Sequence, residues 1–318
     1  MEVGFIVPHV GRDNVSRRSI DATCDVAEGL GADALWFGDH IAFPYDYLTP
    51  YPYGTANGFD PSDPEQFWEV FSVMAYVAAR TSRVKLGAGV IILPYRHPLL
   101  TAKSVATIDM LSDGRVMFGA GVGWLEEEFS ALGLDTFPTR GSVSDEQLEV
   151  IKRAWTQERP SFDGQHYRFP EVSVTPKPFQ RPHPPILIGG NGKRAFRRVV
   201  QFGDYWHAAM LLPEELEDGR AELAAMAREA GRAEAPRTSL LIVVYLTIDP
   251  AHQASMSVPQ RRQTIAGTPE QVIALLRRYR DAGLDHVSTV VASDGSFGPE
   301  EDILALFLKD IWPQVNRN

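Results

Sequence analysis

A chain of 318 residues, 44% hydrophobic and 23% charged, has the length and composition of a folded protein with a large core, which excludes a disordered or low-complexity chain. The formal net charge of -10 argues against a general nucleic-acid surface, and the single cysteine, Cys24, excludes a disulfide framework and a cysteine-based zinc site. No stretch approaches the ~20 uninterrupted apolar residues of a membrane span, and no basic-then-apolar leader opens the chain, so the expected setting is a reducing cytoplasm and the expected partner a small molecule rather than nucleic acid or membrane.

In chain order, "EVGFIVP" predicts a strand over about 2–8, and "SIDATCDVAEGLG" a helix that buries Cys24 as an inert thiol and ends at Gly29 and Gly31. "ALWFGDH" predicts the second strand, over 34–40. A Pro/Tyr/Gly-rich loop over 44–64 leads to a helix at about 64–80, and "VKLGAGVII" predicts a third strand with a helix near 98–112 behind it. "RVMFGAGVG" is the fourth strand, followed by a helix near 142–158. An insertion at about 160–185, "SFDGQHYRFPEVSVTPKPFQRPHPP", reads as a small hairpin at Gly164 and then an extended Pro-rich run.

The second half repeats the alternation, with strands "PILIGG", "YWHAAM", "SLLIVVYLTI" and "HVSTVVA" and helices from about 192, near 213–230, near 269–282 and near 299–312. "GTPEQV" places Thr268 as a helix cap, Pro269 in the first turn and Gln271 as the partner in a capping box. Continuous apolar strands alternating with amphipathic helices mean a parallel sheet covered by helices, and eight such units predict one α/β domain over 1–318, a closed (β/α)8 TIM barrel with insertions. A doubly wound open sheet is the alternative.

In such barrels the site is built at the C-terminal ends of the strands. There the sequence places His9, Asp39-His40, Gly89-Val90, Gly121-Val122-Gly123-Trp124, Gly189-Gly190-Asn191-Gly192 and His207. Asp39-His40 is either a hydrogen-bonded pair closing its strand or a working pair, in which the histidine moves a proton or bonds a redox ring while the aspartate anchors a polar group. No His-x-His stands on the first strand and no carboxylates sit at matching strand ends, so no metal is expected. Lys193, Arg194, Arg197 and Arg198 crowd the first turns of a helix, where the dipole disfavours cations. A phosphate bound at Gly189 to Gly192 would reverse that penalty; a solvated basic face is the other reading. The glycines of "GAGVGW" and "LGAGVII" mark either a ligand lying against the backbone or a tight exit, bulge or close approach.

"GVGWLEEEFSALGLD", the long insertion running into "PILIGGNGKRAFRRVVQFGDYW", and "GTPEQVIALLRRYRDAGLDHV" together resemble the luciferase-like flavin/deazaflavin oxidoreductases, most closely their coenzyme F420-dependent branch. "LPYRHPLLTAKSVATIDMLSDGRVMFGAGVGW" resembles the same family, so the likeness covers nearly the whole chain and implies a bacterial-luciferase-like barrel. The resemblance implies that Asp39 and His40 lie beside the cofactor ring with His40 assisting proton movement. It further implies a non-proline cis peptide at Gly89-Val90 or one bond later, and cofactor contacts at Gly121, Val122 and Gly123 and at Gly189, Gly190, Asn191 and Gly192. Trp124 stands where sugar-phosphate dehydrogenases of the branch carry a catalytic glutamate, which argues against glucose 6-phosphate as substrate, and Tyr205 replaces the glycine of the family's "GDGW".

These features lead to an F420-dependent oxidoreductase passing a hydride between the deazaflavin and a small organic substrate. His40 and Asp39 are the expected catalytic residues, and His9, Phe43 and Trp124 line the substrate. An FMN-dependent monooxygenase served by a separate reductase is the enzymatic alternative, and a non-catalytic flavin-binding barrel the third. The resemblance also implies a homodimer. Loops 41–64 and 250–266 are expected to select the substrate.

Overall fold

The structure, a computed structural model, describes residues 1–11, 15–52, 66–251, 264–298 and 300–317. Parallel strands β1 (Glu2–Ile6), β2 (Ala34–Phe37), β3 (Lys85–Ala88), β4 (Val116–Gly121), β5 (Ile186–Gly189), β6 (Tyr205–Ala209), β7 (Arg237–Leu246) and β8 (His286–Ser293) pair in chain order. β8 returns to β1, with Glu2 opposite His286, so the sheet closes. The closed barrel is the predicted fold, and the closing pair removes the open-sheet alternative. Around it lie α1 (Arg17–Leu30), α2 (Val70–Arg80), α3 (Pro98–Leu111), α4 (Arg140–Thr156), α5 (Lys193–Phe202), α6 (Pro213–Glu229), α7 (Pro269–Asp281) and α8 (Glu300–Leu306), which continues through a π-helical turn, Phe307–Ile311. Among the described residues no helix is long and apolar enough to cross a membrane.

Local chemistry explains these bounds. Ser16 caps α1 by accepting from the Ser19 backbone N–H at 3.1 Å, and Gly31 ends it at φ +84°, a conformation that favours glycine. Thr268 and Gln271 form the predicted capping box on α7. On the helix-facing side of the barrel, Val3, Phe5 and Val7 pack with Ile20, Cys24 and Ala27 of α1. Burial pushes the Cys24 thiol up to about 11, which fits an inert side chain.

Alternate residues turn inward, where Ala34, Trp36, Met117, Leu187 and Tyr205 form a separate cluster. Trp36 fills the lumen because Gly4 and Gly87 leave room: a Cβ would lie 2.4 Å from Trp36 Nε1 at Gly4 and 2.5 Å from Trp36 Cε3 at Gly87. The indole stacks on His207 at 5.1 Å and donates to His286 Nε2 at 3.0 Å. Beneath it, Glu2 bonds His286 Nδ1 at 3.2 Å and accepts from Lys85 Nζ at 3.0 Å. These contacts plug the lumen at its N-terminal end.

Several elements depart from the sequence expectation. β2 ends at Phe37, so Asp39 and His40 stand beyond it. The expected third strand is broken by a cis Gly89-Val90 bond into β3 and the short piece Ile91–Ile92, which pairs with β4. The helix expected from 64 begins at Val70, after a two-residue strand, Gln66–Phe67, paired antiparallel with Val10–Gly11. β4 leads into a short helix, Glu126–Ala131, that was not anticipated. The hairpin expected at Gly164 is present as Phe162–Asp163 against Arg168–Phe169. Residues 53–65 and 252–263 of the loops expected to select substrate lie outside the described residues.

Candidate active site

At the C-terminal ends of the strands, the chain leaving β2 places two side chains with different surroundings. The Asp39 carboxylate accepts from Arg96 Nη1 at 2.7 Å, Arg96 Nη2 at 2.9 Å and the Ile92 backbone N–H at 2.9 Å. Asp39 is buried and Arg96 half-buried; the guanidinium also lies 3.5 Å from Glu69 and 5.1 Å over the Phe71 ring. Asp39 therefore bolts the exit of β2 to the segment that follows the cis bond, and its oxygens are engaged by protein groups.

His40 is held by a carboxylate from outside its own strand. Its Nδ1 lies 2.5 Å from Glu128 Oε2. The same oxygen accepts from Tyr95 Oη at 2.8 Å, and Oε1 accepts from the backbone N–H groups of Ile41 at 2.7 Å and Ala42 at 3.1 Å. Burial alone would raise the Glu128 pKa, but these donors, His40 foremost, hold it below the ordinary carboxylate value. An ionised carboxylate only accepts, so Nδ1 carries the proton, and any proton exchange by the ring falls to Nε2. Burial beside that negative charge pushes the Tyr95 phenol well above its ordinary value, so it stays a donor.

The rim glycines serve a shared packing purpose. A Cβ at Gly121 would lie 2.3 Å from Val90 Cγ2, one at Gly189 3.0 Å from Val90 Cγ1, and one at Gly119 1.8 Å from the Ala88 carbonyl oxygen. Val90 is thus seated in a notch cut by Gly121 and Gly189, while Gly119 admits the Ala88 backbone, and the Val90 side chain is half-buried there. Below it lies His207, whose Nδ1 bonds Ser239 Oγ at 3.0 Å and whose pKa burial lowers to about 3, so it is neutral.

The glycine turn after β5 is braced from β6: Asn191 accepts from the Ala209 N–H at 3.0 Å and donates to its carbonyl at 2.6 Å, while Trp206 Nε1 donates to the Gly190 carbonyl at 2.7 Å. The side chain of Asn191 therefore positions the turn. Gly192 caps α5 with no side-chain hydrogen bond, and no acid occupies the first turn. Of the four cations expected there, Arg198 turns away to Asp145 at 2.5 Å and Lys193 approaches Glu222 at 3.7 Å. Arg194 and Arg197 remain exposed. Arg140, which donates to the Gly123 carbonyl at 3.1 Å, has its pKa lowered first by burial and further by Arg194, so the two cations share this corner. An uncapped helix end flanked by two guanidiniums fits a phosphate.

The residues expected to line substrate divide. His9 is fully buried, its Nδ1 bonded to the Val7 carbonyl at 2.9 Å and its Nε2 accepting from the Gly38 N–H at 3.2 Å, so it buttresses β2. Phe43 and Trp124 do meet His40, with ring centroids at 5.2 and 6.2 Å. Phe67 joins them at 4.9 Å.

Glu128, Tyr95, Arg96 and Arg140 were not singled out in the sequence. Glu128 is the last acid of a run, "LEEEF", that reads as a solvated helix start, and only its fourfold acceptance in three dimensions separates it from Glu126. The signal that could have found it is placement: an acid four residues after Trp124, at the end of a barrel strand.

The sequence profile of the family described as luciferase-like monooxygenase matches residues 1–257. The uncharacterized protein Rv0940c of Mycobacterium tuberculosis is 30% identical over 223 residues, covering 70% of this chain and 76% of that one. The FMNH(2)-dependent dimethylsulfone monooxygenase of Pseudomonas putida is 32% identical over 163 residues, covering 49% of this chain and 45% of its own. An F420-dependent secondary alcohol dehydrogenase, solved with an F420-acetone adduct, shares the fold with a TM-score of 0.78 at 18% identity, covering 99% of each chain.

Proposed function

The chain belongs to the luciferase-like monooxygenase family, and from that premise we propose a coenzyme F420-dependent oxidoreductase acting on a small organic substrate. What carries the proposal is the meeting, around one mouth, of a carboxylate-oriented histidine and an anion-ready helix end. Deazaflavin, when bound, supplies the hydride chemistry that side chains lack. Gly190 to Gly192, the first N–H groups of α5, Arg194 and Arg140 would hold its phosphate, and Gly89, Val90 and the Gly121-Val122-Gly123 exit would support its ring.

The work of the chain itself follows from its hydrogen bonds. Glu128 keeps the proton on Nδ1, so His40 accepts or returns a proton through Nε2 without changing its orientation. Asp39 acts at one remove, fixing the wall that carries Val90 through Arg96 and Ile92. The aromatic rings around His40 exclude water from the transfer.

An FMN-dependent monooxygenase with a separate reductase is the second reading, favoured by the dimethylsulfone monooxygenase likeness. A homodimer accompanies either reading: Leu100, Met110 and Leu111 of α3 are exposed apolar residues on the outer shell. Turnover separates the readings. Anaerobic bleaching of F420 driven by a panel of alcohols is the expected result; oxygen uptake dependent on FMN and a reductase would favour the second reading, and no redox change with either cofactor would defeat both.

A further inference from the structure

His207 is a strand-end histidine that the chemistry proposed for His40 leaves unused. Its backbone on β6 pairs with Gly189, but its side chain turns into the barrel and reaches toward the chain just beyond β3: a Cβ at Gly89 would lie 3.0 Å from His207 Nε2. The imidazole lies flat against Trp36, with ring centroids 5.1 Å apart and planes 15° apart, and the residue is only 4% exposed. Ring N–H bonds lie in the plane of the imidazole, so in this parallel stack neither nitrogen donates into the indole face.

The hydrogen bonds of this ring do not balance within the chain. Nδ1 bonds Ser239 Oγ at 3.0 Å, Ser239 is fully buried, and among the described residues neither Nε2 nor Ser239 Oγ has a further hydrogen-bond partner. The ring is neutral and so carries one proton. With that proton on Nδ1, donated to Ser239, both the hydroxyl proton and the Nε2 lone pair go unmet. With the hydroxyl donating to Nδ1 instead, the ring proton sits on Nε2 and a single donor is left over. Each unmet buried polar group carries a desolvation cost, so the second arrangement is favoured. The Nε2–H then needs an acceptor, and it stands beside the Gly89-Val90 bond, where the proposed function puts the cofactor ring. A neutral donor suits a neutral acceptor, whereas the phosphate corner has its own cations, Arg194 and Arg140, near the start of α5. Deazaflavins and flavins share a pyrimidinedione whose carbonyl oxygens are such acceptors; they differ in the central ring, where one has carbon and the other nitrogen.

We propose that His207, held in its Nε2–H form by Ser239, donates a hydrogen bond to a pyrimidinedione carbonyl of the bound cofactor. The assignment rests on the cofactor reading and concerns binding, not the proton transfer given to His40. Nitrogen-15 and proton NMR of the histidine rings in the full chain tests it, with the His207 signals identified by their cross-relaxation with the Trp36 indole. In the free protein the proton is expected on Nε2. F420 and FMN, each seen to bind by its own absorbance change, are both expected to move the Hε2 resonance downfield. His207→Phe keeps a ring against Trp36 and removes the donor, and it should weaken the binding of each cofactor by about tenfold.

A ring proton on Nδ1 in the free protein would overturn the proposal, as would undiminished cofactor binding by a folded His207→Phe chain. An Hε2 resonance that stays in place while both cofactors bind would leave the donor to water alone, and the proposal would fail while the cofactor reading stands. A shift with FMN and none with F420 would put the bond on the flavin nitrogen that deazaflavin lacks, and equally overturn it. If neither cofactor binds the wild-type chain, the cofactor reading fails and the proposal with it.

Discussion

Replacing Glu128 by Gln keeps the shape of the side chain and removes its charge. Four donors now converge on two carboxylate oxygens, and an amide can serve only one side of that arrangement. If the amide oxygen stays on the Ile41 and Ala42 N–H groups, the NH2 faces His40 Nδ1 and Tyr95. The imidazole must then give up the Nδ1 proton and become the Nε2–H tautomer, which reverses the nitrogen offered to the site. Loss of a correctly protonated acid or base costs about 10²–10⁴-fold in turnover, and replacement of a charge-assisted hydrogen bond costs about 1.5–3 kcal/mol of stability. Nitrogen-15 NMR of the histidines should show His40 Nδ1 with a proton in the wild type and without one in E128Q, alongside the drop in turnover. The wild type should also show an acid dependence that the variant lacks. The Glu128 carboxylate is depressed, so its contribution is complete above the ordinary unfolded value of 4.5 and disappears as pH falls through the lower folded value. An E128Q protein with the wild-type tautomer and undiminished turnover would refute the role given to this carboxylate.

Asp39→Asn should destabilise the fold by about 1.5–3 kcal/mol in urea titration, because it replaces the bidentate charged partner of Arg96 and leaves that cation only the more distant Glu69, at 3.5 Å; a loss below about 0.5 kcal/mol would contradict the bolt described above. Gly121→Ala should cost about 1–3 kcal/mol through overlap with Val90, and Val90→Ala in the same chain should restore part of it, a coupling that a double-mutant cycle reads directly. Arg140→Gln should weaken FMN binding by about tenfold, the loss of one charge-assisted contact, while leaving riboflavin, which has no phosphate, unaffected; equal losses for both would remove Arg140 from the phosphate corner. The hydrogen bond from His286, helped by Lys85, lowers the Glu2 pKa to about 2, so urea midpoints should hold steady above pH 4.5 and fall progressively toward pH 2, a slope that Glu2→Gln flattens.

The barrel was legible because its signals are redundant. Each apolar strand is followed by an amphipathic helix, and the Thr268-Pro269-Gln271 start of α7 was readable to the residue. The histidine and glycines of the rim were legible as positions for the same reason: a strand end in this fold is a place on the mouth. Their roles were less so. Gly121 and Gly189 read as room for a ligand, yet the room is filled by Val90, a contact set by the three-dimensional approach of one segment to another. His9 and Asp39 looked alike, as polar groups at strand ends, and both are consumed by protein partners that local spacing does not reveal. Glu128 was hidden by its acidic neighbours, since a helix of six residues leaves almost no periodic trace.

The proposal that a flavin-type cofactor lies in this mouth is tested most directly by a crystal structure of the protein soaked with F420, with FMN as the parallel soak. The expected result is a ring resting on Val90 with its reactive edge within hydrogen-bond or van der Waals reach of His40, about 3–4 Å, and a phosphate on the N–H groups at the start of α5 beside Arg194 and Arg140. A cofactor bound elsewhere, such as the roughly 460 Å³ cavity lined by Phe5, Arg18, Ser19 and Leu304 between α1 and α8, would contradict it.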